Sequence, residues 1–281
     1  MATTPERPPL DLVIIGAPKA GTTSLAQWLA KHPNAFMPHE KEISYFDLNY
    51  HRGRAWLDQR FAKSGDAIRI DATPAYLYVD EALERMARDA PNARLVVLLR
   101  EPVDRVWSHF WYNRSTGLDF RPFNWILRAE TRDPTNAPHN LPIGYLACSR
   151  YMQRLDRYME HFDREQLLVL FFDDLRADPH DVWKRVLQHA GLPHVELPEE
   201  RKKYFPGKRP KSAILQHLLL RSGPGRWPRG WGTKLFMANA RKGGYPSLTD
   251  KQRAKLTALL DGETRKLDAW LPGEVPPSWP R

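Results

Sequence analysis

Four short stretches of this chain, residues 10–15, 67–70, 94–99 and 166–172, concentrate apolar side chains with few polar interruptions. Arg94-Leu-Val-Val-Leu-Leu99 is the strongest of them and has the continuous apolar character of a strand covered on both faces. Between them the apolar positions recur every three or four residues, the period of a helix with one buried face. This pattern predicts helices over 22–30, 80–90, 103–113, 151–162 and 181–190, with Leu25, Trp28 and Leu29 marking the buried side of the first. Pro91, Pro102 and Gly191 stand where such helices stop or open. Strands alternating with helices predict an α/β fold with a central parallel sheet flanked by helices. Residues 249–270 read as one closing helix.

Residues 198–244 break the pattern. They hold two glycine clusters, Trp227 and Trp231, and aromatic Tyr204 and Phe205 among Lys202, Lys203, Lys208, Arg209 and Arg226. This stretch reads as an irregular basic lid or acceptor-side insertion inside a single domain of 281 residues. Aromatics among cations suit a sugar, a phenol, an acidic lipid or nucleic acid, and equally a solvated lid with buried anchors.

Composition narrows the class. Apolar residues make up 42% and charged residues 27%, as in ordinary globular proteins. The formal charge of +10 attracts polyanions or phosphorylated small molecules. Cys148 is the single cysteine, which excludes an intrachain disulfide and a cysteine-rich zinc site and fits a reducing compartment. Residues 1–9 lack the apolar core of a signal peptide, and the best apolar run, Ile214-Leu-Gln-His-Leu-Leu-Leu220, falls short of a membrane span. The expectation is a cytoplasmic protein of bacterial type without a membrane span.

The sharpest local signal is Gly16-Ala-Pro-Lys-Ala-Gly-Thr-Thr-Ser24, lying where a strand meets a helix. Successive backbone N–H groups and a helix N-terminus make such a loop an anion site. A nucleotide P-loop reads G-x-x-x-x-G-K-[ST]. Here Gly16 and Gly21 keep the spacing, Thr22 stands in the lysine position, and the lysine has moved back to Lys19. A lysine there suits a donor with one phosphate before its transferable group, which has no γ-phosphate to hold.

The loop resembles the 5′-phosphosulfate-binding loop of sulfotransferases that use 3′-phosphoadenosine 5′-phosphosulfate (PAPS), closest to the heparan-sulfate-type and bacterial branch. Leu95-Val-Val-Leu-Leu-Arg-Glu-Pro-Val-Asp-Arg-Val-Trp-Ser-His109 resembles the 3′-phosphate-binding segment of that family, with Arg100 and Ser108 at its binding positions. An arginine fork and a hydroxyl are apt donors to a phosphate dianion. An ion pair of Arg100 with Asp104 is the structural alternative for that arginine. Glu40-Lys-Glu-Ile-Ser-Tyr-Phe46, Asp71-Ala-Thr-Pro-Ala-Tyr76 and the strand ending at Asp174 resemble further family segments. Arg241-Lys-Gly-Gly-Tyr-Pro246 resembles its closing Lys-Gly loop with the basic residues one position off.

The resemblance implies a P-loop-like three-layer fold and sulfuryl transfer from PAPS to a hydroxyl or amine of a small molecule, carbohydrate or lipid. It implies donor contacts from Pro18, Lys19, Ala20, Gly21, Thr22, Thr23, Ser24, Arg100, Ser108, Lys242 and Gly243. Lys19 stabilises the leaving group, and Glu42 is the candidate general base, with Glu40 and His39 as alternatives. On a solvated loop Glu42 would instead merely pair with a neighbour such as Lys41. No metal and no nucleic-acid partner are expected. Two other readings compete. A nucleotide kinase would use Asp71 as its magnesium-binding acid but lacks the lysine after Gly21. A non-catalytic basic module binding nucleic acid or membrane explains the charge and leaves the two motifs unexplained.

Overall fold

The computed structural model describes residues 7–40, 42–133, 144–198, 209–221, 231–241 and 243–281. It divides into two compact units that are interleaved along the chain. The first comprises Met1–Arg100, Tyr151–Lys202 and Lys266–Trp279; the second comprises Glu101–Arg150, Lys203–Arg265 and Pro280–Arg281.

The first unit is built on five parallel strands: β1 (Leu12–Gly16), β2 (Ala35–Phe36), β3 (Ile68–Ala72), β4 (Arg94–Leu99) and β5 (Leu167–Phe171). Their order in the sheet is β2-β3-β1-β4-β5. All of β1 is buried, and so is β4 except for Arg94, as their unbroken apolar sequences require. Helices Thr22–Leu29, Asp80–Asp89, Tyr151–Met159 and Pro179–Ala190 each bury one face, as their 3.6-residue periodicity predicts. After β1 the chain moves to the β2–β3 side, then crosses to place β4 on the other side of β1. That reversal lies at the carboxyl end of β1, where parallel α/β sheets open a crevice.

The second unit has its own core, in which Val103, Val106 and Phe110 of helix Pro102–Thr116 pack with Ile126, Leu127, Tyr145, Leu256 and Leu260. Arg105 is fully buried there, and its guanidinium donates to Ser149 Oγ at 2.5 Å and to the Tyr145 carbonyl. Glu130 accepts from the Tyr145 and Leu146 N–H groups at 2.7 and 2.8 Å, so neither buried charge lacks partners.

Three expectations are corrected. The strand and helix edges move by a few residues, and β5 ends at Phe171 because Phe172–Ala177 turns helical. Residues 249–270 form two helices, Asp250–Leu259 and Glu263–Trp270, because Gly262 between them takes φ 78°. Residues 198–244 are not irregular where described. Helices Ala213–Arg221 and Trp231–Ala238 are joined by an antiparallel pairing of Arg209–Pro210 with Ala240–Arg241. The aromatic and basic residues 202–208, 226 and 227 singled out above lie outside the described residues.

Among the described residues, no helix is long and apolar enough to cross a membrane. Helix Ala213–Arg221 exposes Ile214, Leu215, Leu218 and Leu220.

Candidate active site

The phosphate loop runs from the end of β1 into helix Thr22–Leu29. Ala17 N–H donates to the Leu98 carbonyl at 2.7 Å, which ties the loop's start to β4. Lys19 has φ 74° and Gly21 φ 99°. A non-glycine residue in the left-handed region is uncommon and costs on the order of 1–2 kcal/mol, so the surroundings must hold Lys19 there. Gly21 is required on two counts. Its φ is left-handed, and a Cβ would lie 2.7 Å from Leu175 Cδ2 and 3.2 Å from Phe172 Cδ2. No side chain caps the helix that follows. Its first N–H groups have no intrahelical acceptor and carry the positive end of the macrodipole.

Arg100, one residue beyond β4, reaches this loop. Its Nη1 donates to the Lys19 carbonyl at 3.3 Å, its guanidinium lies 4.8 Å above the Phe172 ring, and its carbonyl accepts from Tyr151 Oη at 2.7 Å. Two residues predicted to bind opposite ends of one donor are thus neighbours in the first unit, the Arg100 side chain against the Lys19 backbone. Asp104, the alternative partner proposed for Arg100, is held by Arg253 at 2.7 Å.

Glu42 stands on a loop with unusual backbone. Glu42 and Ser44 have φ 65° and 51°, and with Lys19 they are the non-glycine residues of positive φ among those described. Buried Asp71, at the end of β3, anchors this loop. Its carboxylate accepts from Tyr76 Oη at 2.6 Å, Thr73 Oγ1 at 2.9 Å and the Ile43 N–H. The same hydroxyls accept in turn, Thr73 Oγ1 from Ser44 N–H and Tyr76 Oη from Phe46 N–H, both at 3.2 Å. Burial pushes Asp71 up to about 6, opposed by the hydrogen bonds it accepts. Tyr76 is driven well above the usual phenol range, first by burial and then by the Asp71 charge. Glu40, the alternative base, is largely exposed and lies 3.5 Å from Arg60. His39 is exposed, and Lys41, the neighbour proposed as an ion-pair partner, lies outside the described residues.

A cavity of about 220 Å³ opens beside Glu42, lined by Glu40, Ile43, Asn49, Arg52, Trp56 and Arg60. Helix Gly53–Arg60 presents Trp56, with the Arg60 guanidinium 3.5 Å and that of Arg52 5.3 Å from its ring centre. Two carboxylates, two guanidiniums and an indole line one space there.

Ser108 and Gly243 belong to the second unit. Ser108 is half-buried on helix Pro102–Thr116, whose first turn is capped by Glu101 accepting from Val103 and Asp104 N–H at 3.0 and 2.7 Å. Trp107 Nε1 donates to the Pro246 carbonyl at 2.7 Å, and Trp111 stacks on Tyr245 with ring centres 6.2 Å apart. The turn through Gly243 and Gly244, at φ 104° and 76°, is therefore fastened to the helix that carries Ser108. Lys242 lies outside the described residues.

The sequence reading gave Asp71, Thr73 and Tyr76 no role in the sulfotransferase site, and it missed Arg52, Trp56 and Arg60. The signals were present: a carboxylate ending an apolar run with hydroxyls two and five residues on, and a cation–indole–cation series at intervals of four. Asp71 cannot serve as the free acid of a kinase, since its oxygens are committed to Tyr76, Thr73 and Ile43.

A parallel sheet with a lysine-bearing anion loop at the carboxyl end of its central strand defines the class, an α/β protein with the P-loop-like fold. The model of the family described as "Sulfotransferase domain" matches residues 9–211, and the chain belongs to that family. It is similar to bifunctional heparan sulfate N-deacetylase/N-sulfotransferase 1 of Caenorhabditis briggsae, 29% identical over 212 residues, covering 70% of this chain and 24% of that protein. Heparan sulfate glucosamine 3-O-sulfotransferase 3A1 of Mus musculus is 27% identical over 184 residues, covering 65% and 46% respectively. The chain thus spans less than half the length of either relative. Among solved structures, a sulfotransferase from Alicyclobacillus acidocaldarius shares the fold, with a TM-score of 0.70 at 21% identity, over 93% of this chain and 95% of that one.

Proposed function

We propose that the chain moves a sulfuryl group from PAPS to a hydroxyl or amine by in-line displacement. The observation that carries this reading is the pairing of Lys19, held in left-handed backbone on the phosphate loop, with Arg100 bound to its carbonyl. PAPS supplies an activated sulfuryl group on a phosphate leaving group. The loop amides, Thr22 and Thr23 hold its 5′-phosphate, with Pro18, Ala20 and Ser24 shaping the loop. Arg100 serves its 3′-phosphate, and the motif resemblance adds Ser108, Lys242 and Gly243 as donor contacts. As the acceptor oxygen or nitrogen bonds to sulfur, the bond to the bridging oxygen breaks, and Lys19 neutralises charge on that oxygen. Glu42 takes the proton the acceptor releases. Positioning and fixed charge supply the rate enhancement, as in phosphoryl transfer.

The cavity lined by Glu42, Arg52, Trp56 and Arg60 is the acceptor side. Its two guanidiniums, balanced by Glu40 and Glu42, can hydrogen-bond the polar or acidic groups of an acceptor, and the indole gives a flat apolar face for a ring. Both relatives are named for heparan sulfate, one of them for its glucosamine, so a glucosamine-containing acidic oligosaccharide is the first acceptor to try.

A thermal-shift titration with adenosine 3′,5′-bisphosphate, set against ATP with magnesium, tests the donor. At 100 times its Kd a ligand stabilises the native state by about 2.7 kcal/mol, a clear rise in Tm. A rise with the bisphosphate is expected; a rise with magnesium ATP alone overturns the proposal in favour of a kinase.

A further inference from the structure

Three N–H groups of the loop that follows Glu42 end on one carboxylate. Ile43 donates to Asp71 directly, Ser44 reaches it through Thr73 Oγ1, and Phe46 reaches it through Tyr76 Oη. The carbonyl side of the same loop is held as firmly. Asn49 Nδ2 donates to the Ile43 carbonyl at 2.9 Å, Asn49 N–H to the Ser44 carbonyl at 2.8 Å, and Arg85 Nη1 to those of Phe46 and Asp47 at 2.7 and 3.0 Å. Left-handed backbone at Glu42 and Ser44 is unfavourable in isolation and persists only where contacts over-determine it. These contacts do so.

The anchor also reaches the phosphate loop. β3 pairs with β1 with Ala72 opposite Ile14. Just beyond it, the chain from Pro74 to Leu77 lies so close to Gly16 that a Cβ there would sit 2.9 Å from Leu77 Cβ and 3.3 Å from the Pro74 carbonyl. Tyr158 Oη fixes the same turn by donating to the Tyr76 carbonyl at 2.9 Å. One rigid turn thus touches the start of the phosphate loop on one side and carries the Glu42 loop on the other.

We infer that Asp71, Thr73 and Tyr76 are positioning residues that hold the Glu42 carboxylate in register with the phosphate loop, so that turnover depends on them through Glu42. This rests on the reading of Glu42 as the base. Burying an acid at this point is costly, and a purely structural turn has no need of it. A carboxylate gathers several donors at one point, which a neutral side chain does less well.

The test uses the full chain with Thr73→Val and Tyr76→Phe, each of which deletes one hydroxyl with little change of shape. Amide hydrogen exchange is measured with adenosine 3′,5′-bisphosphate bound. Faster exchange at Ser44 in Thr73→Val and at Phe46 in Tyr76→Phe, with β1 and β4 unchanged, is expected. Unchanged exchange at both amides overturns the clamp. Turnover of PAPS is then followed with a de-N-acetylated glucosamine–uronate oligosaccharide as acceptor probe. Each hydroxyl deletion is expected to lower kcat about 10–100-fold, with bisphosphate Kd within about twofold of the parent. Adding Glu42→Gln to either variant should then cost far less than it costs the parent. Full additivity of the two losses overturns the inference, since a merely structural weakening leaves the value of the base unchanged. If Glu42→Gln costs the parent nothing, the base reading fails together with the catalytic part of the inference, and exchange alone then judges the clamp.

Discussion

Lys19 and Glu42, the two side chains assigned chemistry from the sequence, both stand in left-handed backbone. Strain of this kind collects where a side chain must point in a direction ordinary backbone does not allow. Lys19→Ala removes the proposed leaving-group cation and is expected to lower kcat about 100-fold or more, the scale of losing one fixed electrostatic partner. Steady-state turnover at saturating PAPS checks this, and an unchanged kcat removes Lys19 from the mechanism. Asp71 gives a second prediction. Its carboxyl titrates near 6 in the native protein and near 3.8 when unfolded, so the native state holds the proton more tightly. Its contribution to stability is therefore largest below pH 4 and is lost as pH rises towards 6, by on the order of 3 kcal/mol. Urea melts across that range should show the parent losing stability relative to Asp71→Asn as pH rises, then a constant difference above about pH 7. The φ angles were not legible in the sequence; the spacing of Asp71, Thr73 and Tyr76 was, but not the long-range contacts the carboxylate makes. Lys19, Glu42 and Arg100 could be singled out as candidates, because a motif fixes residue types at spacings, while the links from Asp71 to the Glu42 loop depend on which segments the fold sets side by side.

At the scale of elements, the apolar runs at 10–15, 94–99 and 166–172 were readable, within a residue or two of the observed strands, because parallel strands buried on both faces admit no alternation. β2 was not, since two residues carry no period. The break at Gly262 escaped for another reason: glycine is tolerated within a helix, and only its φ of 78° shows that the chain turns there. The helix Gly53–Arg60 was missed because it buries only Leu57, so its sequence has almost no apolar stripe. At Gly21 an element boundary coincides with a proposed donor contact. Gly21→Ala must adopt left-handed backbone and drive its Cβ into Leu175 and Phe172, the ring under Arg100. The expected result is a stability loss of about 1–3 kcal/mol and a bisphosphate Kd raised at least tenfold. Equilibrium denaturation and a binding titration measure the two effects separately, and wild-type values in both would show that the loop tolerates a side chain there.

For the whole molecule, composition and a charge of +10 set only a class, and the interleaving of two units along the chain left no mark in the sequence. The first unit is completed by residues near the end of the chain. Leu267, Leu271, Val275 and Trp279 are buried, Trp279 packs edge-on against Phe171 of β5, and its Nε1 donates to Asp173 Oδ2 at 3.0 Å. Trp279→Ala should cost about 3–5 kcal/mol and lower the urea midpoint accordingly, whereas a shift below about 1 kcal/mol would mean that this contact is dispensable. The consequence reaches back to synthesis. β5 leaves the ribosome roughly 100 residues before the tryptophan that seals its end, which at about 5–20 residues per second is an interval of several seconds. Through that interval the nascent sheet has an open apolar end, so shielding of β5 during synthesis should raise the fraction of chains that reach the folded state.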